Sequence, residues 1–340
     1  MMNVPLLEQM LAEGYVNVQK HPSAALFIYN YSSKAQYERV WNEITLHCRG
    51  LILDADHAIV ARPFAKFFNL EEHKSEEIPD TNFEVFEKLD GSLGILYWLD
   101  NQPFMATRGS FSSEQSAKAT QMLYQNYAHT FSQLDKSKTY LFEIIYPENR
   151  IVVDYGKQED LILLAIIDKQ TGQDEPLQDI GFQLVKRYDG IADLQKLKAL
   201  QEENKEGFVI KFSNGFRVKV KFEEYVRLHR ILTQVSSKNI WEYLATNQSF
   251  EAILEKVPDE FYDWVKKTVA DLQKEFQTIE TYCQTHFKDL GNRKDSALYF
   301  QTLRYPSVLF AMLDKKDYAP IIWKMVKPDY EKPFRKDVET

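Results

Sequence analysis

The stretch Phe83-Glu84-Val85-Phe86-Glu87-Lys88-Leu89-Asp90-Gly91-Ser92-Leu93-Gly94-Ile95-Leu96-Tyr97-Trp98 decides how this chain is read. Apolar residues alternate up to Lys88 and resume after Ser92, which predicts strand, tight Asp-Gly turn, strand. Such a hairpin would fix Lys88 at its lip, with the Asp90 carboxylate two residues on. A lysine amine held in a cationic pocket can lose its proton and act as a nucleophile. Taken alone, the stretch is read first as an ordinary surface hairpin with a solvated lysine. The rest of the chain has to decide.

The chain has 340 residues, of which 44% are hydrophobic. That is enough for one large domain or two modest ones with a proper core, and it excludes a disordered protein. Apolar runs such as Leu161 to Ile167 fall far short of the ~20 residues of a membrane span. Residues 1–20 carry no signal-peptide pattern. Cys48 and Cys283 lie far apart and form no CxxC, so neither a disulfide framework nor a zinc site is expected. A cytoplasmic protein with no membrane partner is the expectation. The net charge of −8 argues against coating nucleic acid non-specifically. Yet Lys211, Arg217, Lys219, Lys221, Arg227 and Arg230 gather in a short span against Glu223 and Glu224. A local basic strip on an acidic body suits a phosphate site.

Periodicity predicts an amphipathic helix over 4–20 and strands over 25–70 with one helix near 35–44. Hairpins are expected from 82 to 108 and a helix from 113 to 132. Strands follow at 140–146, 151–154 and 161–168, then a helix at 192–202 and strands at 207–212 and 216–221. The character then changes. Phe261, Val265, Val269, Leu272, Phe276, Ile279, Cys283 and Phe287 recur at three- and four-residue steps, which predicts one long amphipathic helix opened by Pro258 and Asp259 and closed by Gly291. These patterns place a boundary near residue 233, with an α+β domain over 1–232 and an all-helical domain over 233–340.

Several separate blocks then share one order. They are Arg49-Gly50-Leu51-Ile52-Leu53-Asp54, Arg62-Pro63-Phe64-Ala65-Lys66-Phe67-Phe68-Asn69, Lys88-Leu89-Asp90-Gly91-Ser92 and Thr107-Arg108-Gly109-Ser110. Next come Phe142-Glu143 with Pro147-Glu148-Asn149-Arg150-Ile151-Val152, and Glu206-Gly207-Phe208-Val209-Ile210. Last is Val218-Lys219-Val220-Lys221 with Tyr225 and His229. In these blocks the chain resembles the covalent nucleotidyltransferases, and within them the RNA ligase 1 branch typified by T-even bacteriophages. The resemblance runs from about Tyr29 to about His229. It departs from that branch at Arg108, where the phage-type ligase has lysine. It departs again at Thr246-Asn247-Gln248-Ser249, which has no acid where that ligase carries a metal-associated aspartate; Glu251 and Asp259 are nearby alternatives.

The resemblance implies an α+β fold: a nucleotidyltransferase (ATP-grasp-like ligase) domain of antiparallel sheets with flanking helices, then a small all-α domain that selects the RNA. It implies ATP as AMP donor, Mg2+ or Mn2+, and RNA with 5′-phosphate and 3′-OH ends, cleaved tRNA among them. Lys88 would take AMP, and Asp90 would orient the lysine or a metal-bound water. Lys219 and Lys221, alternating with Val218 and Val220, would share one strand face beside the α-phosphate. Arg49, Lys66 and Arg108 would meet the β- and γ-phosphates or the RNA 5′-phosphate. Tyr29 would reach the adenine, Glu143 the ribose or the metal, and Glu206 the metal. His229 and His286 are expected to be structural. Two alternatives remain open at this point: a ligase-derived RNA-binding protein without catalysis, and the sealing subunit of a tRNA-repair system whose end-healing kinase-phosphatase is a separate protein. The chain has no GxxxxGK[ST] loop to supply a Walker-type kinase itself.

Overall fold

A computed structural model describes residues 2–191, 193–226, 236–248 and 262–328. The chain divides into two compact units, Met1–His229 and Arg230–Thr340. His229, Arg227, Arg230, Glu251, Pro258, Asp259 and Phe261, named above, lie outside the described residues.

The first unit is built on three sheets. The first has the order β1 (Val16–Lys20), β2 (Leu26–Tyr31), β3 (Arg49–Asp54), β4 (Ile59–Ala61). Helix α1 (Val4–Ala12) and the short helices α2 (Ser33–Glu38) and α3 (Glu43–His47) accompany it. The helix expected over 4–20 is therefore shorter. The Asn3 side chain caps its start by accepting from the Leu6 amide at 3.2 Å, the chain turns at Glu13-Gly14, and 16–20 pairs with β2 as a strand. The β-branched Val16 and Val18 favour that outcome.

The second sheet runs β11 (Asp174–Glu175), β10 (Asp160–Asp168), β9 (Lys138–Ile145), β7 (Ser92–Leu99), β8 (Gln102–Ala106). One face packs on helix α4 (Glu114–Asn126) through residues such as Leu96, Met122, Leu123 and Phe142. The other meets the first sheet, where Ile28 and Ile52 join Ile95, Leu141 and Ile167. The third sheet runs β12 (Arg187–Tyr188), β6 (Phe83–Lys88), β13 (Gly207–Phe212), β14 (Arg217–Lys221), β5 (Phe68–Asn69). Its core face carries Val85, Phe208, Ile210, Val218 and Val220, with Leu197 of helix α5 (Leu194–Ala199) against them. The expected strand over 151–154 is absent from these sheets, because its amides serve another purpose described below.

The expected hairpin at Lys88–Ser92 does not form. β6 pairs with β13 and β12 in the third sheet, whereas β7 pairs with β9 and β8 in the second. The alternation on either side was read correctly as strands, but the Asp-Gly step carries the chain from one sheet to another. Gly91 is required there, since a Cβ would stand 2.6 Å from the Ile144 carbonyl oxygen. The true tight hairpin is β7–β8, where Asp100 and Asn101 turn with φ of 49° and 63°, the left-handed pair of a type I′ turn.

In the second unit the described helices are α6 (Ser237–Thr246), α7 (Tyr262–His286), α8 (Arg293–Gln301), α9 (Pro306–Leu313) and α10 (Ala319–Met325). The apolar stripe of α7 is buried: Ile279 and Cys283 pack with Phe300, Val308, Leu309 and Ile322. Trp241 Nε1 donates to the Trp323 carbonyl at 2.7 Å, tying α6 to α10. Among the described residues no helix is long and apolar enough to cross a membrane.

One backbone position governs the third sheet. Lys88, Gly207 and Lys221 lie in one cross-strand row. Gly207 has φ of 148°, and a Cβ there would stand 2.0 Å from the Val220 carbonyl oxygen. Replacing Gly207 by alanine is expected to destabilise the protein by on the order of 3 kcal/mol or more, read as a lowered melting temperature by circular dichroism. A melting curve matching wild type would refute the packing argument.

Candidate functional site

The row Lys88–Gly207–Lys221 sets up the site. Neighbours in a cross-strand row point to the same face, so the two lysines flank a position with no side chain. The Glu206 carboxylate fills that space. Its Oε1 is 2.7 Å from Lys88 Nζ and 3.2 Å from Lys221 Nζ, and the residue is only 3% exposed. Burial pushes the Glu206 carboxyl up, but the charges and hydrogen bonds of Lys88 and Lys221 outweigh it and hold it below the usual carboxylate range. Lys219, two residues before Lys221, is on the same face and 7% exposed, while Val218 and Val220 enter the core. β14 thus has the alternation expected of it.

The loop after Lys88 is tied to residues 143–155. Gly91 N–H donates to Glu143 Oε1 at 2.9 Å. Ser92 Oγ donates to Asn149 Oδ1 at 3.2 Å, and Asn149 Nδ2 donates to the Ile144 carbonyl at 3.0 Å. Asp90 departs from its expected role. It is 3% exposed, and its carboxylate turns into the interior. Oδ2 accepts from the amides of Val152 and Val153 at 2.7 and 2.8 Å, and Oδ1 from the Tyr225 hydroxyl at 2.8 Å. The Asp90 amide donates to the Tyr155 hydroxyl at 2.8 Å. With both oxygens committed to the protein, Asp90 builds the loop and does not orient Lys88 or a metal-bound water. Tyr155 and Asn149 were not anticipated from the sequence; the period-2 pattern that found the strands says nothing about a loop whose side chains hydrogen-bond inward.

Tyr29 is the second departure. It is 6% exposed and packs with Leu7, Met10, Val16, Cys48 and Leu51 under α1, a core side chain and not a ring open to adenine. The aromatic near the cations is Tyr31. Between them, Tyr29 faces Leu51 but Asn30 faces Arg49, so the ladder slips by one residue at Gly50. The slip separates the surroundings of two tyrosines that simple alternation would put together. Lys66 Nζ lies 5.3 to 5.6 Å from the ring centres of Tyr31, Trp41 and Phe68. Arg108 also lies over Tyr31, and the Arg49 guanidinium lies 5.5 Å from the Phe67 ring centre. Trp41 had no signal in the sequence reading. β5, which follows Lys66, runs beside β14, with Asn69 opposite Lys219.

Two acids could meet a divalent cation here, Glu206 and Glu143. Among the described residues no cluster of three or more His, Cys, Asp or Glu could hold a metal unaided. The donor set therefore fits Mg2+ or Mn2+ only in the manner usual for phosphoryl transfer, with one or two carboxylates supplemented by substrate phosphate. His286, expected to be structural, hydrogen-bonds the Tyr282 carbonyl at 2.8 Å within α7.

Residues 47–226 match the model of a family described as RNA ligase. A protein of Autographa californica nuclear polyhedrosis virus named "Putative bifunctional polynucleotide kinase/RNA ligase" is 28% identical over 274 residues, 72% of this chain and 39% of that protein. A "Putative RNA ligase" of Thermovibrio ammonificans is 33% identical over 192 residues, 52% of this chain and 50% of that one. The chain thus spans half or less of the length of these two curated relatives. Among solved structures, a variant of Naegleria gruberi RNA ligase with ATP and Mn has a TM-score of 0.38 at 22% identity, covering 46% of this chain and 53% of that chain.

Glu143 gives the site a measurable pH signature. Burial pushes its carboxyl up to about 8, with Glu206 and Asp90 adding to the rise and Lys88 and the Gly91 amide opposing it. A folded-state value above the unfolded one means stability that is full at low pH and lost as pH rises through the folded value. In metal-free buffer the Glu143→Gln variant should match wild type at about pH 4, below the unfolded value, and be the more stable protein at about pH 9. Thermal melts across that range check it, and parallel curves at all pH values would contradict it.

Proposed function

We propose that this chain, which belongs to the RNA ligase family of the T-even phage RNA ligase 1 type, seals RNA 3′-OH and 5′-phosphate ends at the expense of ATP, with Lys88 as the residue that takes AMP. The observation that carries this reading is the pair of lysines, Lys88 and Lys221, that flank Gly207 in one cross-strand row and both ion-pair with the buried Glu206. Structural ion pairs seldom spend two lysines on one buried acid beside a glycine that opens space between them. A phosphoryl-transfer site needs cations already gathered where phosphate charge will sit.

In the first step Lys88 Nζ attacks the α-phosphorus of ATP. The phosphorus–oxygen bond to pyrophosphate breaks, the lysine gives up a proton, and a lysyl-AMP phosphoramidate results. AMP then passes to the 5′-phosphate of RNA, and a 3′-hydroxyl displaces it to form the phosphodiester. Lys219 and Lys221 take the α-phosphate charge. Arg49, Lys66 and Arg108 take the β- and γ-phosphates or the RNA 5′-phosphate. Glu206 and Glu143 would hold a divalent cation, Mg2+ or Mn2+, which supplies charge neutralisation at the reacting phosphate. Glu206 has a second part to play, since a carboxylate engaged elsewhere releases its hold on Lys88. Asp90, Tyr155 and Tyr225 keep the loop in place and touch no substrate.

The test is a labelling experiment. Wild-type protein mixed with [α-32P]ATP and magnesium should acquire label on Lys88 by peptide mapping. Lys88→Ala and Lys88→Arg should acquire none, because arginine stays protonated. Glu206→Ala, Lys219→Ala and Lys221→Ala should slow labelling by at least ~10²-fold, the scale of removing an electrostatic stabiliser, and EDTA should abolish it. Label on Lys88→Ala, or none on wild type, would sink the assignment.

The helical unit carries none of the blocks shared with ligases, and we assign it to choosing the RNA, cleaved tRNA being the leading candidate. The viral relative's name joins kinase and ligase in one protein; here a separate end-healing kinase-phosphatase would supply the healed ends. Truncation near Thr233 should leave Lys88 labelling in place and reduce joining of a broken anticodon loop more than joining of unstructured ends. Equal loss on both RNAs, with the truncated protein folded, would make the unit a general part of the active site.

A further inference from the structure

Asn204 stands two residues before Glu206 with left-handed backbone, at φ of 54°. Its side-chain amide grips one residue of a distant segment. Oδ1 accepts from the Asp154 amide at 2.7 Å, and Nδ2 donates to the Asp154 carbonyl at 2.9 Å. One planar side chain thus satisfies both backbone groups of one residue, as a paired strand would.

The residue that Asn204 holds follows directly on those that Asp90 holds. Val152 and Val153 donate to Asp90 Oδ2, and the Tyr155 hydroxyl accepts from the Asp90 amide. The contacts therefore close a ring. It runs from Lys88 two residues on to Asp90, across to Val153 and its neighbour Asp154, across again to Asn204, and two residues on to Glu206. The 2.7 Å ion pair between Glu206 and Lys88 completes it. Water competes for the hydrogen bonds of an exposed side chain, so an isolated pair of this kind would contribute little. Two features set this pair apart. Asparagine carries donor and acceptor on one short amide and tolerates the left-handed region, whereas aspartate lacks the donor and glycine lacks both groups. The bonds also link the approach to Glu206 with the segment that fixes the loop after Lys88.

We propose that Asn204 is a positioning residue that sets the Glu206 carboxylate against Lys88 by tying the approach to Glu206 to the segment that holds Asp90. It acts through the backbone of residues 152–155 and of 204–206. The inference rests on the ligase reading for its catalytic consequence, the alignment of Lys88 for attack on the α-phosphorus, where small misplacements are costly.

Two measurements on the full chain test it, with wild type, Asn204→Gly and Asn204→Asp. Glycine keeps the left-handed backbone and removes both bonds. Aspartate keeps an acceptor for the Asp154 amide and removes the donor. Asn204 is exposed, so both variants should melt close to wild type by circular dichroism. The first measurement needs no nucleotide: lysines are acylated with sulfosuccinimidyl acetate and quantified by peptide mapping. Lys88 should react about fivefold faster in Asn204→Gly, the scale of one lost hydrogen bond. Lys138, paired with Asp168 and Glu175 at the far end of β9, should react as in wild type. The second is AMP labelling. Asn204→Gly should be about tenfold slower at saturating ATP with KM for ATP unchanged, the scale of a modest loss of alignment, and Asn204→Asp should fall between it and wild type. A more reactive Lys88 that is slower with ATP is what lost alignment predicts and general loosening does not. Unchanged acylation of Lys88, an equal rise at Lys138, or slowing that disappears at saturating ATP would overturn the proposal. If acylation responds as expected but wild type takes up no AMP, the positioning role stands and the ligase reading fails.

Discussion

A carboxylate buried without a cation must find its hydrogen bonds in backbone and hydroxyl groups, and Asp90 finds them in Val152, Val153 and Tyr225. Leaving such a group unpaired would cost several kcal/mol, so the three donors and the acid are obliged to stay together. That obligation propagates. Holding Asp90 places Gly91 against Glu143 and Ser92 against Asn149, and it fixes where β6 must stop. Lys88 owes its position to a residue two places away whose own side chain faces the other direction.

The charges at the site are arranged on the same logic of obligation. Glu206 is stable where it is because two ammonium groups surround it, and a buried acid deprived of such partners would be strongly unfavourable. The arrangement is therefore self-consistent as it stands, and it leaves Lys88 occupied by an anion. On the reading proposed above, a cation that competes for the carboxylate would release Lys88. Among the described residues Glu143 forms no such ion pair, and burial pushes it the other way. Two acids of the same type thus differ in charge preference through their surroundings alone, the condition under which neighbouring groups can take separate parts.

Much of this was legible in the sequence, for reasons that can be named. β13, β14 and the long helix α7 have strong, uninterrupted periods, and period alone fixes which side chains share a face. The order of the blocks directed attention to Lys88, Glu206, Lys219 and Lys221, which the fold gathers on one face of the third sheet. What could not be read was set by contacts between distant segments. An Asp-Gly step looks like a hairpin turn, and the partner that makes it a crossing, Ile144, is far along the chain. Tyr29 and Tyr31 look equivalent until the ladder slips at Gly50. Residues 151–154 look like a strand because Ile, Val and Val are strand formers, but the two amides that would extend a ladder are claimed by Asp90.

The crossing has a mechanical side. Lys88 ends a strand of one sheet and Ser92 begins a strand of another, so the backbone between them is a tether as well as a loop. Four steps of chain reach at most about 13–14 Å. At this point the two sheets can never part further than that, however the remainder of the unit flexes. Lys88 thus stands at one end of a short strap joining two sheets, and the strap limits how far its position can stray from Ser92.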